Sequence, residues 1–353
     1  MNKFFSTLAL LAASVCSANL FAQEFTSVAD IEADGKYVDA FKVQGEYLLA
    51  TPEKTMGFQV IARGEKDFAV VGYQDGLPGA GWDRSKARFF GTGELKDGKL
   101  VITGEKMNIP RKGDEADVVF NDEQKATLLV GSFEDGKYYL DFKGHNEIQR
   151  VVRSSETCGK KAPEGAIVLF DGSNTDAFAS NVKLSDKQEN AFFSDALLKP
   201  FEKDRPFTLH LEFMLSFMPN ALGQARSNSG VYLQEEYECQ VLDSFGLEGE
   251  NNECAGFYQQ LKPIVNACLS PLTWQTYDFD VTPAKFDENG EKIANAVITV
   301  KHNGITVHEK AVLEHETPGG KTEKTEAGEA RGIYLQGHGN QVQYRNIWIK
   351  YND

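Results

Sequence analysis

The stretch Gly332–Lys350, GIYLQGHGNQVQYRNIWIK, has the pattern of two short strands joined by a turn. Ile333–Gln336 is a short apolar run, residues 337–340 have turn chemistry, and Val342–Lys350 alternates between apolar and polar residues. We therefore predict a β-hairpin here. Its turn is surrounded by four polar side chains, those of Gln336, His338, Asn340 and Arg345. They form either a solvated hairpin tip or one rim of a site for a polar ligand.

Segments upstream of this hairpin also predict strands. In Phe207–Leu215, apolar residues alternate with polar ones, as in a half-buried strand. Ala296–His302 and Ile305–Glu309 flank an Asn-Gly pair, which supplies the positive φ angles of a type I′ turn. Three further segments have strand character, Ala166–Gly172, Ser229–Gln234 and Tyr237–Leu242. Together they predict an all-β sandwich of the jelly-roll type.

The 353 residues are enough for two domains, each with its own core. Residues 23–153 consist of short alternating segments separated by Gly, Asp, Asn and Lys, so we predict a smaller all-β domain there. The periodicity stops in residues 154–165, SSETCGKKAPEG, which we assign to a linker. The jelly roll then occupies residues 166–353.

Residues 1–22 have the features of a signal peptide. Lys3 precedes the apolar run Phe4–Val15, and small residues lead to Ala22. The run is too short to span a membrane, so we expect cleavage near Ala22 and an exported protein, periplasmic or secreted. Cys16 raises the alternative of a lipid anchor, which the preceding Val15 disfavours. No later apolar stretch approaches spanning length.

The charge balance restricts the partners. The sequence contains 37 basic and 52 acidic residues, which gives a formal net charge of −15. Such a chain lacks the excess of cations that neutralises phosphates, so we expect neither nucleic acid nor an anionic membrane as partner. A neutral or cationic ligand is the expected alternative.

Four cysteines follow the predicted signal peptide, Cys158, Cys239, Cys254 and Cys268. An exported protein enters a compartment that permits disulfides. Cys254 and Cys268 lie in one irregular segment, and we predict a disulfide between them that contributes about 3 kcal/mol by closing this loop. Cys239 lies within a predicted strand and is expected to be a buried thiol. None of the spacings matches a zinc motif.

The segment YECQVLDS, residues 237–244, contains the first candidate site. Glu238 and Gln240 share one face of the predicted strand, and Asp243 lies at its end. A carboxylate beside an amide suits sugar hydroxyls, which need acceptors and donors together. An outward-facing polar strand has the same pattern, so both interpretations stay open.

The irregular segment 254–274 contains the second candidate site. It includes Tyr258 and Trp274, and loops of this kind carry function when a sheet positions them. Trp274 is either a platform for a sugar ring or a core residue. The chain has no nucleotide-binding loop, GxSxG, HExxH or EF-hand motif, which removes the common readings as a serine hydrolase, zinc protease or dehydrogenase.

These segments resemble the 3-keto-disaccharide hydrolase family, also named 3-keto-glucoside lyase/hydratase and formerly a domain of unknown function. The resemblance covers about residues 163–350. It rests on six motifs in order, FDG at 170–172, NSGVYLQ at 228–234, YECQVLDS at 237–244, WQTYD at 274–278, HNG at 302–304 and LQGHGNQVQYRNIWI at 335–349. The resemblance implies an exported bacterial protein with a concanavalin-like jelly roll. Residues 23–153 resemble an additional β domain of one subgroup.

The resemblance also implies a reaction. A ketone at C3 of a glycoside acidifies the proton on C2, so a general base can remove it. The enolate then expels the C1 aglycone, and water adds to the resulting enone. The implied substrate is therefore a 3-keto-glycoside.

Roles for individual residues follow from this chemistry as hypotheses. His338 or Asp243 would be the base, and Glu238 the acid or an anchor for a hydroxyl. Arg345, or alternatively a divalent cation held by the carboxylates, would stabilise the enolate. Four residues would bind sugar hydroxyls, Gln240, Tyr258, Gln336 and Asn340. By strand alternation, Arg345 shares a face with Ile347 and Ile349, so a buried structural role is its alternative.

The family resemblance contains one departure, and the function has one principal rival. Gly337 stands where many relatives carry Asp before the His. The rival function is that of a non-catalytic, lectin-like glycan-binding module, since β-sandwiches host both functions and a fold does not fix one.

Overall fold

The structure is a computed structural model. It describes residues 23–52, 54–111, 114–122, 130–134, 137–141, 144–202, 204–317 and 331–352. The predicted signal peptide, including Cys16, lies outside the described residues. Two short helices, Val28–Asp34 (α1) and Val38–Val43 (α2), begin the described chain. Neither they nor the other described helical residues form a segment long and apolar enough to cross a membrane.

Two all-β units follow the helices. The strands of the first unit are Gly45–Ala50 (β1), Thr55–Ala62 (β2), Asp67–Gln74 (β3), Leu77–Pro78 (β4), Gly81–Trp82 (β5), Arg88–Lys96 (β6), Lys99–Arg111 (β7), Asp114–Val119 (β8), Val130–Glu134 (β9), Lys137–Asp141 (β10) and His145–Val151 (β11). Eight of them form an antiparallel ring in the order β1-β2-β3-β6-β7-β9-β10-β11, and β11 pairs with β1 to close it. This unit is a closed up-and-down barrel.

The second unit begins after residue 165. Its strands are Ile167–Phe170 (β12), Ala191–Phe193 (β13), Ala196–Leu197 (β14), Phe207–Met214 (β15), Asn228–Leu233 (β16), Tyr237–Leu242 (β17), Trp274–Thr282 (β18), Lys285–Phe286 (β19), Lys292–Ala294 (β20), Ala296–His302 (β21), Ile305–Leu313 (β22), Tyr334–Leu335 (β23) and Gln343–Tyr351 (β24). A single 3₁₀ turn, Gly223–Ala225, precedes β16 among the described residues.

Two sheets form the sandwich. The larger sheet has the order β12-β24-β15-β18-β21-β22, with β13 also paired to β24, and the smaller sheet has the order β14-β23-β16-β17. Their inner faces share one hydrophobic core, to which alternate residues such as Leu211 and Val241 belong. The predicted Asn-Gly turn between β21 and β22 is present, with φ of 53° at Asn303 and 78° at Gly304. The predicted all-β sandwich is confirmed.

The hairpin predicted at Gly332–Lys350 is wrong. β23 belongs to the smaller sheet and β24 to the larger one, so the turn between them crosses from sheet to sheet. Residues 191–198 follow the same path alongside it, because β13 pairs with β24 and β14 pairs with β23. Alternation indicates two strands but does not tell which sheet each one joins.

The barrel and the sandwich are packed tightly together. Ile61, Tyr73 and Trp82 of the barrel unit are buried in the same hydrophobic cluster as the sandwich core. The buried Arg226 of the sandwich donates from Nη1 to the Ala62 carbonyl oxygen of the barrel over 3.2 Å. Arg84 donates to the Ile264 carbonyl oxygen over 3.0 Å. The two units therefore stabilise each other.

The residues predicted as a linker lie against the outer face of the larger sheet. The Gly159 N–H donates to Glu212 Oε1 over 2.5 Å, and the Thr157 hydroxyl donates to Asp278 Oδ2 over 2.8 Å. The His210 Nδ1 lies 2.6 Å from Asp278 Oδ1. A connection of polar composition is thus held in place by polar groups of the sheet.

The predicted Cys254–Cys268 disulfide is absent, since both residues are free cysteines. Their side chains are buried, and each has other partners. Cys254 Sγ lies 3.2 Å from the Tyr277 hydroxyl, and Cys268 Sγ lies 3.6 Å from the Leu242 carbonyl oxygen. The segment that contains them is held by burial. Cys239 is a buried thiol, as predicted.

Candidate active site

The outer face of the smaller sheet presents an unusual set of polar side chains. Tyr232 of β16 stands directly opposite Glu238 of β17, and Gly230 stands opposite Gln240. Neighbouring residues of these strands, such as Val231 and Cys239, enter the core. Because side chains on one face repeat every two residues, Glu238 and Gln240 are separated by about 7 Å along the strand. This spacing suits a ligand of the size of one sugar ring.

Glu238 is the central group of this face. The Glu238 side chain lies over Gly230. A Cβ added at Gly230 would collide with Glu238 Oε1. The Tyr232 hydroxyl donates to Glu238 Oε2 over 2.9 Å, and Gln336 Nε2 donates to the Tyr232 hydroxyl over 3.3 Å. Only 3% of Glu238 is exposed. Gly230 therefore provides the space that a buried carboxylate needs.

Burial sets the protonation of Glu238. Desolvation of the charged form raises the pKa of Glu238 to about 7, and the hydrogen bond from Tyr232 opposes this rise. Burial, followed by the nearby charge of Glu238, raises the pKa of Tyr232 well above its ordinary value, so this hydroxyl keeps its proton. A carboxyl group with a pKa near neutrality can accept or donate a proton at physiological pH.

Amide side chains lie next to Glu238 on the same face. Gln240 Nε2 and Asn228 Nδ2 both donate to Gln224 Oε1, over 3.2 and 3.1 Å. Gln224 in turn donates from Nε2 to the Asn252 carbonyl oxygen over 2.7 Å. Asn228 Oδ1 is buried and accepts no hydrogen bond from the part of the chain that the structure describes. An unpaired acceptor within an amide cluster favours a ligand that carries hydroxyl groups.

The turn between β23 and β24 forms the rim of this face. Asn340 Oδ1 accepts from the Asn228 N–H over 2.9 Å, which attaches the turn to β16. His338 is exposed at the tip of the turn. Asp195 packs closely against Gly337, since a Cβ added at Gly337 would lie 2.5 Å from the Asp195 Cβ. The carboxylate beside the His-containing turn is therefore supplied by Asp195, and Gly337 makes room for it.

The structure brings together five of the nine predicted site residues. Glu238, Gln240 and Gln336 lie on the outer face, and His338 and Asn340 lie on its rim. The half-buried Tyr258 is adjacent through its backbone, because its N–H donates to the Glu238 carbonyl oxygen over 3.1 Å. The three remaining residues lie elsewhere.

Asp243 is a structural residue, which corrects its predicted role as a base. Its Oδ2 accepts from Arg226 Nε over 2.5 Å, and both side chains are almost fully buried. Arg226 also contacts the barrel. Asp243 lies just past the end of β17 and has turned into the interface between the two units.

Arg345 and Trp274 lie on the larger sheet, away from Glu238. The Arg345 guanidinium lies 4.0 Å from the centre of the Trp274 ring, and its Nε donates to Glu212 Oε2 over 2.7 Å. Burial would raise the pKa of Glu212, but hydrogen bonds from His210, Asn346 and others lower it to about 2. This cluster is a paired ionic network on the opposite face of the sandwich.

Sequence reasoning missed four residues of the site, Gln224, Asn228, Tyr232 and Asp195. Tyr232 lies in the segment Ser229–Gln234, which was predicted as a strand, and its position opposite Glu238 follows from the short turn that joins β16 to β17. Asn228 lies one residue before that predicted segment, opposite Leu242. No sequence pattern pointed to Asp195, whose φ of 72° places it in a tight turn between β13 and β14.

No group of three His, Cys, Asp or Glu side chains that could hold a metal ion occurs within the described residues. Of the carboxylates considered as ligands, Asp243 is bound to Arg226, and Glu238 is bound to Tyr232.

The second unit of the chain is similar to known proteins. A family model described as a 3-keto-alpha-glucoside-1,2-lyase-like domain matches residues 165–350, more than half of the chain. A solved structure from Parabacteroides distasonis ATCC 8503, named provisionally as a glycosyl hydrolase, is 29% identical with a TM-score of 0.48, and the match covers 57% of this chain and 91% of that chain. A second structure of the same name and organism is 17% identical with a TM-score of 0.37, covering 54% and 95%. No curated protein matches.

Proposed function

The chain belongs to the 3-keto-alpha-glucoside-1,2-lyase-like family, and on this premise we propose that it cleaves 3-keto-glycosides on the outer face of its smaller sheet. The domain is carbohydrate-active, and the proposal concerns its substrate and reaction. One observation carries it, the buried Glu238 with a pKa of about 7 in contact with Tyr232. A base that removes a proton next to a ketone needs a pKa of this kind.

Proton abstraction is the first step. Glu238, in its ionised form, removes the C2 proton, and the electron pair of the C2–H bond moves toward C3 to give an enolate. Because Glu238 becomes neutral, Tyr232 no longer needs to donate to it and can donate to the enolate oxygen. The Gln336 amide, which already donates to Tyr232, supports this hydroxyl.

Loss of the aglycone is the second step. The enolate re-forms the C3 ketone, a double bond forms between C1 and C2, and the C1–O bond to the aglycone breaks. His338, on the rim, donates a proton to the departing oxygen. Water then attacks C1 and gives its proton to His338, while Glu238 returns its proton to C2. The net reaction is hydrolysis.

The amide cluster is proposed to hold the sugar. Gln224, Asn228 and Gln240 provide donors and acceptors beside Glu238, and Asn228 Oδ1 is available as an acceptor for a sugar hydroxyl. Such groups fix the orientation of C2 toward the base, which is necessary because proton transfer requires close approach.

A turnover assay tests the proposal. The full chain is incubated with a 3-keto-glucoside that carries a chromogenic aglycone, with and without a chelator. We expect release of the aglycone in both conditions, and loss of at least a hundredfold in kcat for Glu238→Gln. Glu309→Gln is the matched control, since Glu309 is exposed on β22 of the larger sheet. Its kcat should equal that of the unmodified protein.

Two results would contradict the proposal. Absence of aglycone release in both conditions, together with saturable binding of the sugar, would establish the lectin-like alternative. Equal kcat values for Glu238→Gln and the unmodified protein would remove Glu238 from the reaction. Circular dichroism of each variant verifies that it is folded.

We also propose that the protein is exported, because residues 1–22 have the charge, apolar run and small residues of a signal peptide. Mass spectrometry of the protein from fractionated bacterial cells tests this. We expect a mature chain that begins near Gln23 in the periplasm or medium. A full-length chain confined to the cytoplasm would contradict it.

A further inference from the structure

Residues 24–27, which we call the N-terminal arm, precede the first helix and pair with the sandwich. The Phe25 N–H donates to the Phe217 carbonyl oxygen over 3.0 Å, and the Phe217 N–H donates to the Phe25 carbonyl oxygen over 2.9 Å. The Phe25 ring is buried and stacks on the Phe217 ring. The first residues of a domain are usually poorly ordered unless contacts of this kind hold them. The arm is therefore a fixed part of the fold.

The arm is also attached to the strand that follows the rim of the candidate site. Gln343 is the first residue of β24, and its side chain is buried. Gln343 Nε2 donates to the Thr26 carbonyl oxygen over 3.1 Å. The arm thus lies beside the point where the turn between β23 and β24 ends.

Glu24 connects the arm to the turn itself. Its Oε1 accepts from the Gln341 N–H over 2.6 Å and from the Ser216 hydroxyl over 2.6 Å. Gln341 follows Asn340 in the turn, and Ser216 lies two residues after the end of β15. Because one carboxylate oxygen accepts both hydrogen bonds, Glu24 joins the turn to the end of that strand.

A second path leads from Glu24 to the amide cluster. Ser216 Oγ lies 2.9 Å from Ser227 Oγ, which also accepts from the Ser216 N–H over 2.8 Å. Ser227 has a φ of 45°, which is uncommon for a residue other than glycine, and it directly precedes Asn228. Glu24 therefore supports both partners of the hydrogen bond that joins Asn228 to Asn340 on the rim.

We propose that Glu24 is a positioning residue, and that the N-terminal arm holds the rim turn so that His338 and Asn340 face the ligand of Glu238. The inference rests on the function proposed above and assigns no proton transfer to Glu24. It separates the two steps of the reaction, because Glu238 acts from a strand whereas His338 acts from the turn. A loosened turn should slow loss of the aglycone more than removal of the C2 proton.

Hydrogen exchange of the Gln341 amide, followed by NMR of the full chain, tests the arm without a substrate. Glu24→Ala removes the acceptor of this N–H, so the exchange rate should rise about tenfold or more. Glu24→Gln keeps an oxygen that can accept both hydrogen bonds, so its rate should stay within about twofold of the unmodified protein. Glu32→Ala is the control, because Glu32 is exposed on α1, and its rate should not change.

Kinetics distinguish positioning from a general loss of structure. With the chromogenic 3-keto-glucoside, Glu24→Ala should lower kcat for aglycone release about tenfold, and Glu24→Gln should restore it. With a saturating 3-keto C-glucoside in D₂O, exchange of the C2 proton by Glu24→Ala should stay within about twofold of the unmodified rate, since Glu238 does not depend on the turn.

Two results would overturn the inference. One is a Gln341 amide that exchanges as slowly in folded Glu24→Ala as in the unmodified protein. The other is an equal fall in aglycone release and C2 exchange in Glu24→Ala. Failure of the proposed reaction looks different, because the unmodified protein would then release no aglycone while the Gln341 exchange rates would still differ between Glu24→Ala and Glu24→Gln.

Discussion

Tyr232 and Glu238 face each other across the β16–β17 pair, and the Tyr232 hydroxyl donates to Glu238 Oε2 over 2.9 Å. This hydrogen bond opposes the effect of burial on the pKa of Glu238, and the Tyr232 hydroxyl itself stays protonated. The carboxyl group is consequently balanced between its charged and neutral forms. Two consequences of this balance can be measured.

The stability of the protein should depend on the charge of Glu238. Burial raises its pKa from 4.5 to about 7. Below pH 4.5 both folded and unfolded chains hold the proton, whereas between pH 4.5 and 7 only the folded chain does. The free energy of unfolding therefore falls as pH rises through this range, by about 3 kcal/mol from this group.

Glu238→Gln removes this titration. Urea unfolding at pH 4, 6 and 8 gives the free energy of unfolding of both proteins. The value for Glu238→Gln should rise relative to that of the unmodified protein as pH increases, and the largest difference should be at pH 8. A difference between the two proteins that is the same at all three pH values would show that the pKa of Glu238 is not raised by folding.

Removal of the Tyr232 hydroxyl should shift the pH dependence of catalysis. The hydrogen bond from Tyr232 lowers the pKa of Glu238, so Tyr232→Phe raises it further. The lower inflection in kcat/KM, expected near pH 7, should move to higher pH.

Tyr334→Phe is the matched control for this shift. The Tyr334 ring lies 5.6 Å from that of Tyr232, but its hydroxyl bonds to Asp195 and the Gly337 N–H. The lower inflection in kcat/KM of Tyr334→Phe should stay at the same pH as that of the unmodified protein. If both variants shift equally, the Tyr232 hydroxyl has no specific effect on the base.

Asp243→Asn should affect stability rather than catalysis. The change leaves the buried Arg226 without its charged partner, which costs about 3–5 kcal/mol. Chemical denaturation measures the loss, and kcat of the fraction that remains folded should match the unmodified protein. A large fall in kcat with unchanged stability would restore Asp243 as a catalytic group.

Gly337→Asp should weaken the site because the new side chain collides with Asp195. We expect a rise in KM and loss of about 1–3 kcal/mol in stability from overpacking. The double variant Gly337→Asp with Asp195→Gly should recover most of the lost stability and most of the original KM. The carboxylate is then supplied from the turn itself. Absence of recovery would mean that the two positions are not coupled.

The sequence was sufficient to predict where strands lie. Tyr237–Leu242 and Ala296–His302 were predicted with their observed ends, because alternation and turn residues mark them locally. The closed barrel and the crossing of residues 336–342 between sheets were not predicted. Both depend on which strands pair, and pairing is decided by distant residues.

The prediction for Arg345 shows how one backbone irregularity changes a site. Simple alternation places Arg345 on the face of Ile347 and Ile349. In the structure, the pairing of β24 with β15 shifts at Asn346, whose φ is 45°. This bulge turns Arg345 to the outer face of the larger sheet, where it meets Glu212. The Arg345 side chain therefore lies neither in the core nor beside Glu238.

Exchange of the C2 proton tests the central claim most directly. A 3-keto C-glucoside has no aglycone oxygen to expel, so in D₂O the loss of the C2 proton signal, which proton NMR follows, reports removal and return of that proton without cleavage of the aglycone. We expect the C2 signal to disappear with the unmodified protein and with Glu309→Gln, and to persist with Glu238→Gln. Exchange at an equal rate in folded Glu238→Gln would contradict the assignment of Glu238 as the base.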